Sequence, residues 1–226
     1  MKRIEINNAE ELNCGRREAM NSLKTNVQFA GVDIKTVAIT SCNQGEGKST
    51  IAFDLARSMA ESGKMALLID ADMRKSQLVT RHKIDNNGNQ IKGLTHYLSG
   101  QSTPDEILCS TNIPGMHMIL LGPFSTNPTE LLAGDKFSKL IKLMEKAFDC
   151  IIIDTPPLGA VIDTAIMAPS TDGVIIVLEA NSTSIKAAQN ASKQVEVTGA
   201  RILGYVLNKV SDKNGYYYSK YKYYGK

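Results

Sequence analysis

Residues 36–50 read TVAITSCNQGEGKST, and this stretch decides the fold. It begins as an apolar strand, runs through Gly45 and Gly47, and continues into a helical pattern over 49–62. Glycines let successive backbone N–H groups converge on phosphate oxygens, and a helix N-terminus adds partial positive charge. The stretch therefore predicts a phosphate-binding loop (P-loop) between a strand and a helix.

One position of this loop departs from the usual pattern. The pattern G-x-x-x-x-G-K-[ST] places its first glycine at residue 42, which is a cysteine here. A plain glycine-rich turn is the alternative, and the flanking strand and helix argue against it. Lys48 is expected to reach the β- and γ-phosphates, and the Ser49 hydroxyl to bind Mg²⁺. The residues expected to contact ATP in this loop are Gly45, Glu46, Gly47, Lys48, Ser49 and Thr50.

Six short apolar runs set the fold class. Several are apolar at successive residues, which is typical of strands covered on both faces of a parallel sheet. Helical patterns lie between them, so the prediction is an α/β P-loop fold with a doubly wound, mostly parallel sheet and helices on both faces. We assign 1–212 to this domain, with an N-terminal helix over 9–29, and 213–226 to a tail. The runs are 36–42, 65–70, 116–121, 150–154, 173–178 and 202–207.

Three aspartates follow two of these strands. Asp70 and Asp72 come after the second run, and Asp154 ends the fourth. The carboxyl ends of parallel strands meet at one edge of a sheet, so we expect these carboxylates to converge near Mg²⁺ beside the P-loop. A strand-end aspartate can instead cap the next turn or helix. Three of them together with a P-loop favour the metal site.

The charge and the tyrosines are unevenly distributed. Residues 1–212 carry 22 Lys and Arg against 23 Asp and Glu, a net −1, whereas 213–226 carry four lysines and no acid. Taken alone, this tail could bind nucleic acid by stacking and charge, touch an anionic membrane, or accept phosphate. Six of the eight tyrosines lie in it: Tyr216, Tyr217, Tyr218, Tyr221, Tyr223 and Tyr224.

Composition excludes several classes of protein. The chain has 42% hydrophobic and 22% charged residues, which rules out disorder throughout. We expect no transmembrane helix, because no apolar run approaches about 20 residues. The start, MKRIEINNAEEL, lacks the apolar segment of a secretory signal. The four cysteines match no zinc or disulfide spacing, so we expect free thiols in a reducing cytosol.

Together these motifs resemble the bacterial tyrosine kinases linked to capsule and exopolysaccharide synthesis. The segments that carry the resemblance are SCNQGEGKST, LLIDADMR at 67–74, IIIDTPP at 151–157 and the terminal tyrosine cluster. The resemblance implies an ATP- and Mg²⁺-dependent protein-tyrosine kinase that phosphorylates the tail tyrosines of a neighbouring copy. A tail that accepts phosphate is then favoured over one that binds nucleic acid or membrane.

The resemblance also assigns roles to single residues. Lys48 would hold the phosphates, Ser49 and Asp72 would bind Mg²⁺ directly, and Asp154 would hold it directly or through water. Asp70 is preferred over Asp72 as the carboxylate that accepts the tyrosine proton. Asn208, after the last strand, would hydrogen-bond adenine, although an asparagine there also suits a plain turn.

The partners implied are a membrane-embedded activator, further copies of the chain in a ring, and a cognate phosphotyrosine phosphatase, with no nucleic acid. The chain would be cytoplasmic and recruited to the inner membrane face through its activator. Ring contacts in the family use E-x-x-R-x-x-R; here Glu18 is followed by Asn21 and Lys24, which weakens the expected contact. The alternative is a dimerising ATPase of the partitioning type. That branch has a signature lysine at the position of Asn43, so the asparagine argues against this alternative.

Overall fold

The main sheet is made of short strands that are apolar on both faces. The computed structural model describes residues 2–8, 13–31, 33–86, 88 and 90–211. The predicted tail at 213–226 lies outside these residues, as do 9–12 of the predicted N-terminal helix. The described strands are β1 (Lys2–Arg3), β2 (Glu5–Ile6), β3 (Thr36–Ser41), β4 (Ala66–Asp70), β5 (Ile84–Asp85), β6 (Leu108–Ser110), β7 (Met116–Ile119), β8 (Cys150–Asp154), β9 (Gly173–Glu179) and β10 (Ile202–Asn208).

Eight strands form one sheet in the order β1-β6-β7-β4-β8-β3-β9-β10. All neighbours in it are parallel except β6 and β7, which confirms the predicted doubly wound, mostly parallel sheet. Strands β2 and β5 form a separate antiparallel pair. The four strands that were not predicted, β1, β2, β5 and β6, have only two or three residues each, too few to show a periodic pattern.

Helices connect the strands, and their ends follow local signals. The helix after the P-loop ends before Gly63, whose φ of +87° suits glycine. Ser184 caps the last helix by accepting a hydrogen bond from the N–H of Ala187 at 3.1 Å. The described α-helices are α1 (Cys14–Phe29), α2 (Lys48–Glu61), α3 (Leu78–Arg81), α4 (Leu94–Leu98), α5 (Pro104–Ile107), α6 (Pro128–Ala133), α7 (Asp135–Met144), α8 (Asp163–Met167) and α9 (Ile185–Glu196).

The helices cover both faces of the sheet, as predicted. In β3, Val37 and Ile39 pack with α1 and α2, whereas Ala38 packs with α9. In β8, Ile152 faces α2, and Ile151 and Ile153 face α7. This alternation buries every residue of the central strands and holds their carboxyl ends at one edge.

All four cysteines are free, and no helix of the described residues is long and apolar enough to cross a membrane.

Replacing a core residue of β8 tests this packing. We expect Ile152→Ala, at a fully buried position, to lower the free energy of unfolding by about 3 kcal/mol through lost burial and a residual cavity. The same change at Ile185, which is 79% exposed, should cost about 0.5 kcal/mol or less. Urea unfolding monitored by circular dichroism measures both. Equal losses in the two variants would contradict the assigned core.

Candidate functional site

The P-loop joins β3 to α2, as the sequence predicted. Gly45 and Gly47 have φ values of +87° and +98°, which L-residues with side chains rarely adopt. A Cβ atom on Gly47 would also lie 2.1 Å from the Asn208 side-chain nitrogen. Both glycines are therefore required by the backbone, and the loop lies directly against Asn208 at the end of β10.

The Glu46 side chain shapes the loop from inside. Glu46 is 2% exposed, and its carboxylate accepts hydrogen bonds from the backbone and side-chain N–H groups of Asn43, both at 2.9 Å, and from Thr183 Oγ1 at 2.5 Å. Its carbonyl oxygen accepts from Asn208 Nδ2 at 2.9 Å. Glu46 thus links the loop to the segment after β9 and to the last residue of β10. Asn43 is tied to Glu46, whereas the partitioning-type ATPases carry a lysine at this position.

Lys48 lies among buried carboxylates at the start of α2. Its Nζ is 2.7 Å from Asp72 Oδ2, 3.5 Å from Asp154 Oδ1 and 3.2 Å from Ser49 Oγ. Burial by itself lowers the pKa of Lys48, but the carboxylates of Asp154 and Asp72 outweigh it and leave the pKa raised. Lys48 is therefore a charged ammonium held in place by acids.

Two of the acids are incompletely satisfied. Asp154 is fully buried, and neither of its side-chain oxygens accepts a hydrogen bond of ordinary length among the described residues, although the Lys48 ammonium lies 3.5 Å from Oδ1. Burial raises its pKa, outweighing the nearby Lys48 ammonium. Burial and the neighbouring Asp154 also raise the pKa of Asp70 to about 8, although Ser76 donates a hydrogen bond to Asp70 Oδ2. Buried carboxylate oxygens with so few partners fit a hard divalent cation such as Mg²⁺.

The acids do not form a complete metal cage. Among the described residues, no three His, Cys, Asp or Glu side chains are grouped so that they could hold a metal ion. The expectation that the three aspartates converge near one ion stays a prediction. Mg²⁺ in nucleotide sites commonly takes one or two carboxylates together with phosphate oxygens and water. Ser49 and Asp154 fit that smaller set, and Asp72 as a third ligand stays a prediction.

The segment after β4 is fixed by two further contacts. Asp72 Oδ1 accepts hydrogen bonds from the backbone N–H groups of Arg74 at 3.3 Å and Lys75 at 3.0 Å. The Arg74 side chain binds Asp163 through Nε at 2.9 Å, and Thr129 Oγ1 donates to the same carboxylate at 2.8 Å. Asp163 is fully buried and was not singled out from the sequence. Its one sequence signal was an aspartate at the start of a short helix.

A cavity of about 500 Å³ opens beside the P-loop. Its polar side includes Lys48, Ser49 and Asp72, and its other side is formed by the segment after β8. Asp70 is fully buried next to this cluster, so Asp72 is the aspartate of the pair that faces the cavity. The cavity is therefore bounded by an ammonium group, a hydroxyl and a carboxylate, which are groups able to bind phosphate, bind a metal ion and accept a proton.

The candidate ring contacts lie on α1. Glu18 and Asn21 are exposed and Lys24 is half-buried. Helix α1 is bound to α2 by the Arg16–Asp54 ion pair at 2.6 Å, which fixes the face that α1 presents. The placement leaves these three residues accessible to a neighbouring copy.

Comparison with known proteins places this geometry in a family. A model of the AAA domain family matches residues 34–203, which span β3 to β10. A tyrosine-protein kinase, CpsD of Streptococcus agalactiae, is 41% identical over 227 residues, covering 100% of this chain and 97% of the relative. The kinase domain of the Escherichia coli tyrosine kinase ETK superposes with a TM-score of 0.82 at 28% identity, covering 88% of this chain and 77% of that one.

A second solved structure gives the same result. The chimerical protein CapA2B2 superposes with a TM-score of 0.82 at 29% identity, covering 94% of this chain and 95% of the other. Sequence identity, coverage and fold therefore agree. This chain therefore belongs to the family of bacterial tyrosine-protein kinases, and its enzyme class is that of a protein-tyrosine kinase.

Proposed function

We propose that the chain transfers the γ-phosphoryl group of ATP to tail tyrosines of a neighbouring copy, and that this regulates capsule or exopolysaccharide synthesis. The observation that carries the proposal is Lys48, held at 2.7 Å from Asp72 at the edge of the cavity. Phosphoryl transfer depends on positioning and on stabilising charge, and this cluster can supply both.

The P-loop supplies the phosphate site. Its backbone N–H groups and the start of α2 favour anionic oxygens. Lys48 exchanges Asp72 for the β- and γ-phosphates when ATP binds, because the phosphates offer it more negative charge. We expect Asn208, whose Nδ2 lies next to Gly47 and donates to the Glu46 carbonyl, to hydrogen-bond adenine as well.

Ser49 and Asp154 would hold Mg²⁺, with Asp72 beside them. When bound, the ion neutralises charge that develops on the phosphate oxygens. The sparse pairing of Asp154 supports this assignment, since a fully buried carboxylate whose ion pair with Lys48 is as long as 3.5 Å gains from a further cation.

Asp72 is the proton acceptor that the geometry favours. In the transfer, the tyrosine oxygen forms a bond to the γ-phosphorus, the bond from that phosphorus to the β,γ-bridging oxygen breaks, and ADP leaves. The phenolic proton passes to Asp72 Oδ2, which Lys48 has released. The sequence-based preference for Asp70 remains a candidate, but Asp70 is fully buried, bonded to Ser76, and has its pKa raised to about 8.

The tail supplies the acceptor and a switch. Its four lysines give it a charge of +4, and each phosphate adds about −1.5 to −2, so two or three phosphates reverse the sign. We propose that this reversal releases the tail from its neighbour. The partners would be copies of the chain in contact through Glu18, Asn21 and Lys24, a membrane-embedded activator that holds the chain at the inner membrane face, and a phosphotyrosine phosphatase.

Transfer between copies can be tested by mixing two full-length variants. A Lys48→Met chain keeps its tyrosines but should lose transfer about 100-fold or more, since one phosphate-binding cation is removed. A second chain keeps Lys48 and carries phenylalanine at all six tail tyrosines. Expressed together with distinct tags in cells of the source organism that lack the native chain, they should yield phosphotyrosine on the Lys48→Met chain by mass spectrometry.

The matched control is Lys142→Met, an exposed lysine on α7, which should retain wild-type labelling when expressed alone. Labelling of the Lys48→Met chain when it is expressed alone would contradict the role of Lys48. An unlabelled Lys48→Met chain in the mixture, with normal labelling of wild type, would show transfer within one copy. An unmodified wild-type tail with ATP-dependent dimers would support the partitioning-type alternative.

Asparagine at the two neighbouring aspartates separates their roles. We expect Asp72→Asn to lower the rate of tail phosphorylation about 100-fold or more, because it removes the carboxylate that faces the cavity. Asp70→Asn should lower it less than about tenfold, because asparagine can still accept the Ser76 hydrogen bond. Single-turnover kinetics at saturating ATP measures both. If Asp70→Asn lowered the rate more than Asp72→Asn, Asp70 would be the residue that accepts the tyrosine proton.

A further inference from the structure

We infer that an apolar ledge in the cavity wall, formed by Pro156, Pro157, Ala160 and Val161, receives the aromatic ring of the incoming tyrosine and sets the preference for tyrosine over serine. The inference rests on the proposed function and adds the subsite that selects the acceptor. All four residues line the cavity beside Lys48.

The two sides of the cavity differ in chemistry. The ledge comes from the segment after β8 and is apolar, whereas the opposite side, after β4, carries Arg74, Lys75 and Arg81. A phenol has apolar faces and one polar end. A ring lying on the ledge can therefore point its hydroxyl toward Lys48, Ser49 and Asp72, the polar groups of the same cavity.

The ledge is rigidly attached to the P-loop strand. The N–H of Leu158 donates to the Ser41 carbonyl at 2.8 Å, and that of Gly159 donates to the Cys42 carbonyl at 3.0 Å. A Cβ atom on Gly159 would lie 2.4 Å from the Cys42 carbonyl oxygen, so no other residue fits this approach. The position of the ledge relative to the phosphates is therefore fixed before substrate arrives.

Two buried hydroxyls also hold Pro156. Thr40 Oγ1 and Thr164 Oγ1 both donate to its carbonyl oxygen, at 2.8 and 2.7 Å. Thr40 lies in β3 and Thr164 in α8, so the proline is held from both sides. A rigidly held proline suits a binding surface that must keep the tyrosine ring at a fixed distance from the γ-phosphate.

The sheet order separates the ledge from the proposed adenine contact. In the order β4-β8-β3-β9-β10, the ledge follows β8 and Asn208 ends β10. They lie on opposite sides of β3 and its P-loop. An adenine beside Asn208 leaves the ledge free, and the position next to the γ-phosphate is where an acceptor must enter.

The length of the tyrosine side chain also explains the preference for tyrosine over serine. A tyrosine hydroxyl is carried at the far end of a rigid ring, so it can reach the polar groups while the acceptor backbone stays at the mouth of the cavity. A serine hydroxyl is attached at Cβ, and its backbone would have to enter the cavity itself. A serine side chain would make no apolar contact with the ledge, and the apolar surface of the ledge would stay exposed to water.

The test uses full-length Val161→Ser as the enzyme and the Lys48→Met chain as the acceptor. We expect the KM for the acceptor to rise about tenfold, from the loss of apolar contact with the ring, while the KM for ATP changes less than twofold. The ratio of tyrosine to serine phosphorylation, measured on an acceptor with its tail tyrosines replaced by serine, should fall by the same factor. Val161→Ile, which keeps an apolar side chain at this position, should retain the wild-type acceptor KM and the wild-type ratio of tyrosine to serine phosphorylation.

The matched control is Ile162→Ser at the adjacent residue, which is 60% exposed and lies outside the cavity lining. It should leave the KM for the acceptor unchanged, and melting temperatures confirm that both variants fold. An unchanged acceptor KM in Val161→Ser overturns the subsite, and a raised KM for ATP instead would assign the ledge to adenine. If the wild-type enzyme fails to label the acceptor, the proposed function fails, and the subsite inference fails with it.

Discussion

The ion pair between Lys48 and Asp72, with Asp154 next to it, is the interaction on which the site depends. Three carboxylates with exposures of 0 to 3% surround one ammonium group, so negative charge exceeds positive charge away from water. Such an arrangement is costly unless further positive charge or protons are supplied. Burial and the neighbouring Asp154 raise the pKa of Asp70 to about 8, which favours the neutral form of this carboxyl and so lessens the imbalance.

The sheet order creates this cluster. Strands β4, β8 and β3 are adjacent, and Asp70 pairs in register with Asp154, which in turn pairs with Ile39 of the strand that leads to the P-loop. The acids and the lysine meet because three parallel strands end at the same edge. Two sets of residues lie on opposite sides of the P-loop at this edge. Asn208 and Glu46 lie on the β10 side, and the ledge lies on the β8 side.

Patterns that span many residues were predictable from the sequence. The P-loop, the six longer strands and the helices on both faces follow from continuous apolar runs, spaced glycines and the 3.6-residue period. The strands β1, β2, β5 and β6 were missed because two or three residues carry no period. Contacts between distant segments were also missed. The place of Glu46 in the motif predicts a contact with ATP, yet its carboxylate accepts hydrogen bonds from Asn43 and Thr183 inside the protein.

The roles of Asp163 and Asp70 show the same limit. An aspartate at the start of α8 looks like an ordinary helix residue until the fold brings it to Arg74. Asp70 and Asp72 are two residues apart in one motif, and only the structure distinguishes the buried one from the one that faces the cavity. Burial and partners, which depend on the whole fold, decide what each carboxylate can do.

A crystal structure with Mg²⁺ and a non-hydrolysable ATP analogue tests the central claim most directly. The account predicts that Lys48 Nζ lies on the β- and γ-phosphates, that adenine lies beside Asn208, and that a tail tyrosine of a second copy rests on the ledge with its hydroxyl next to the γ-phosphate. Lys48 still bound to Asp72 with nucleotide present, or adenine lying on the ledge, would contradict it.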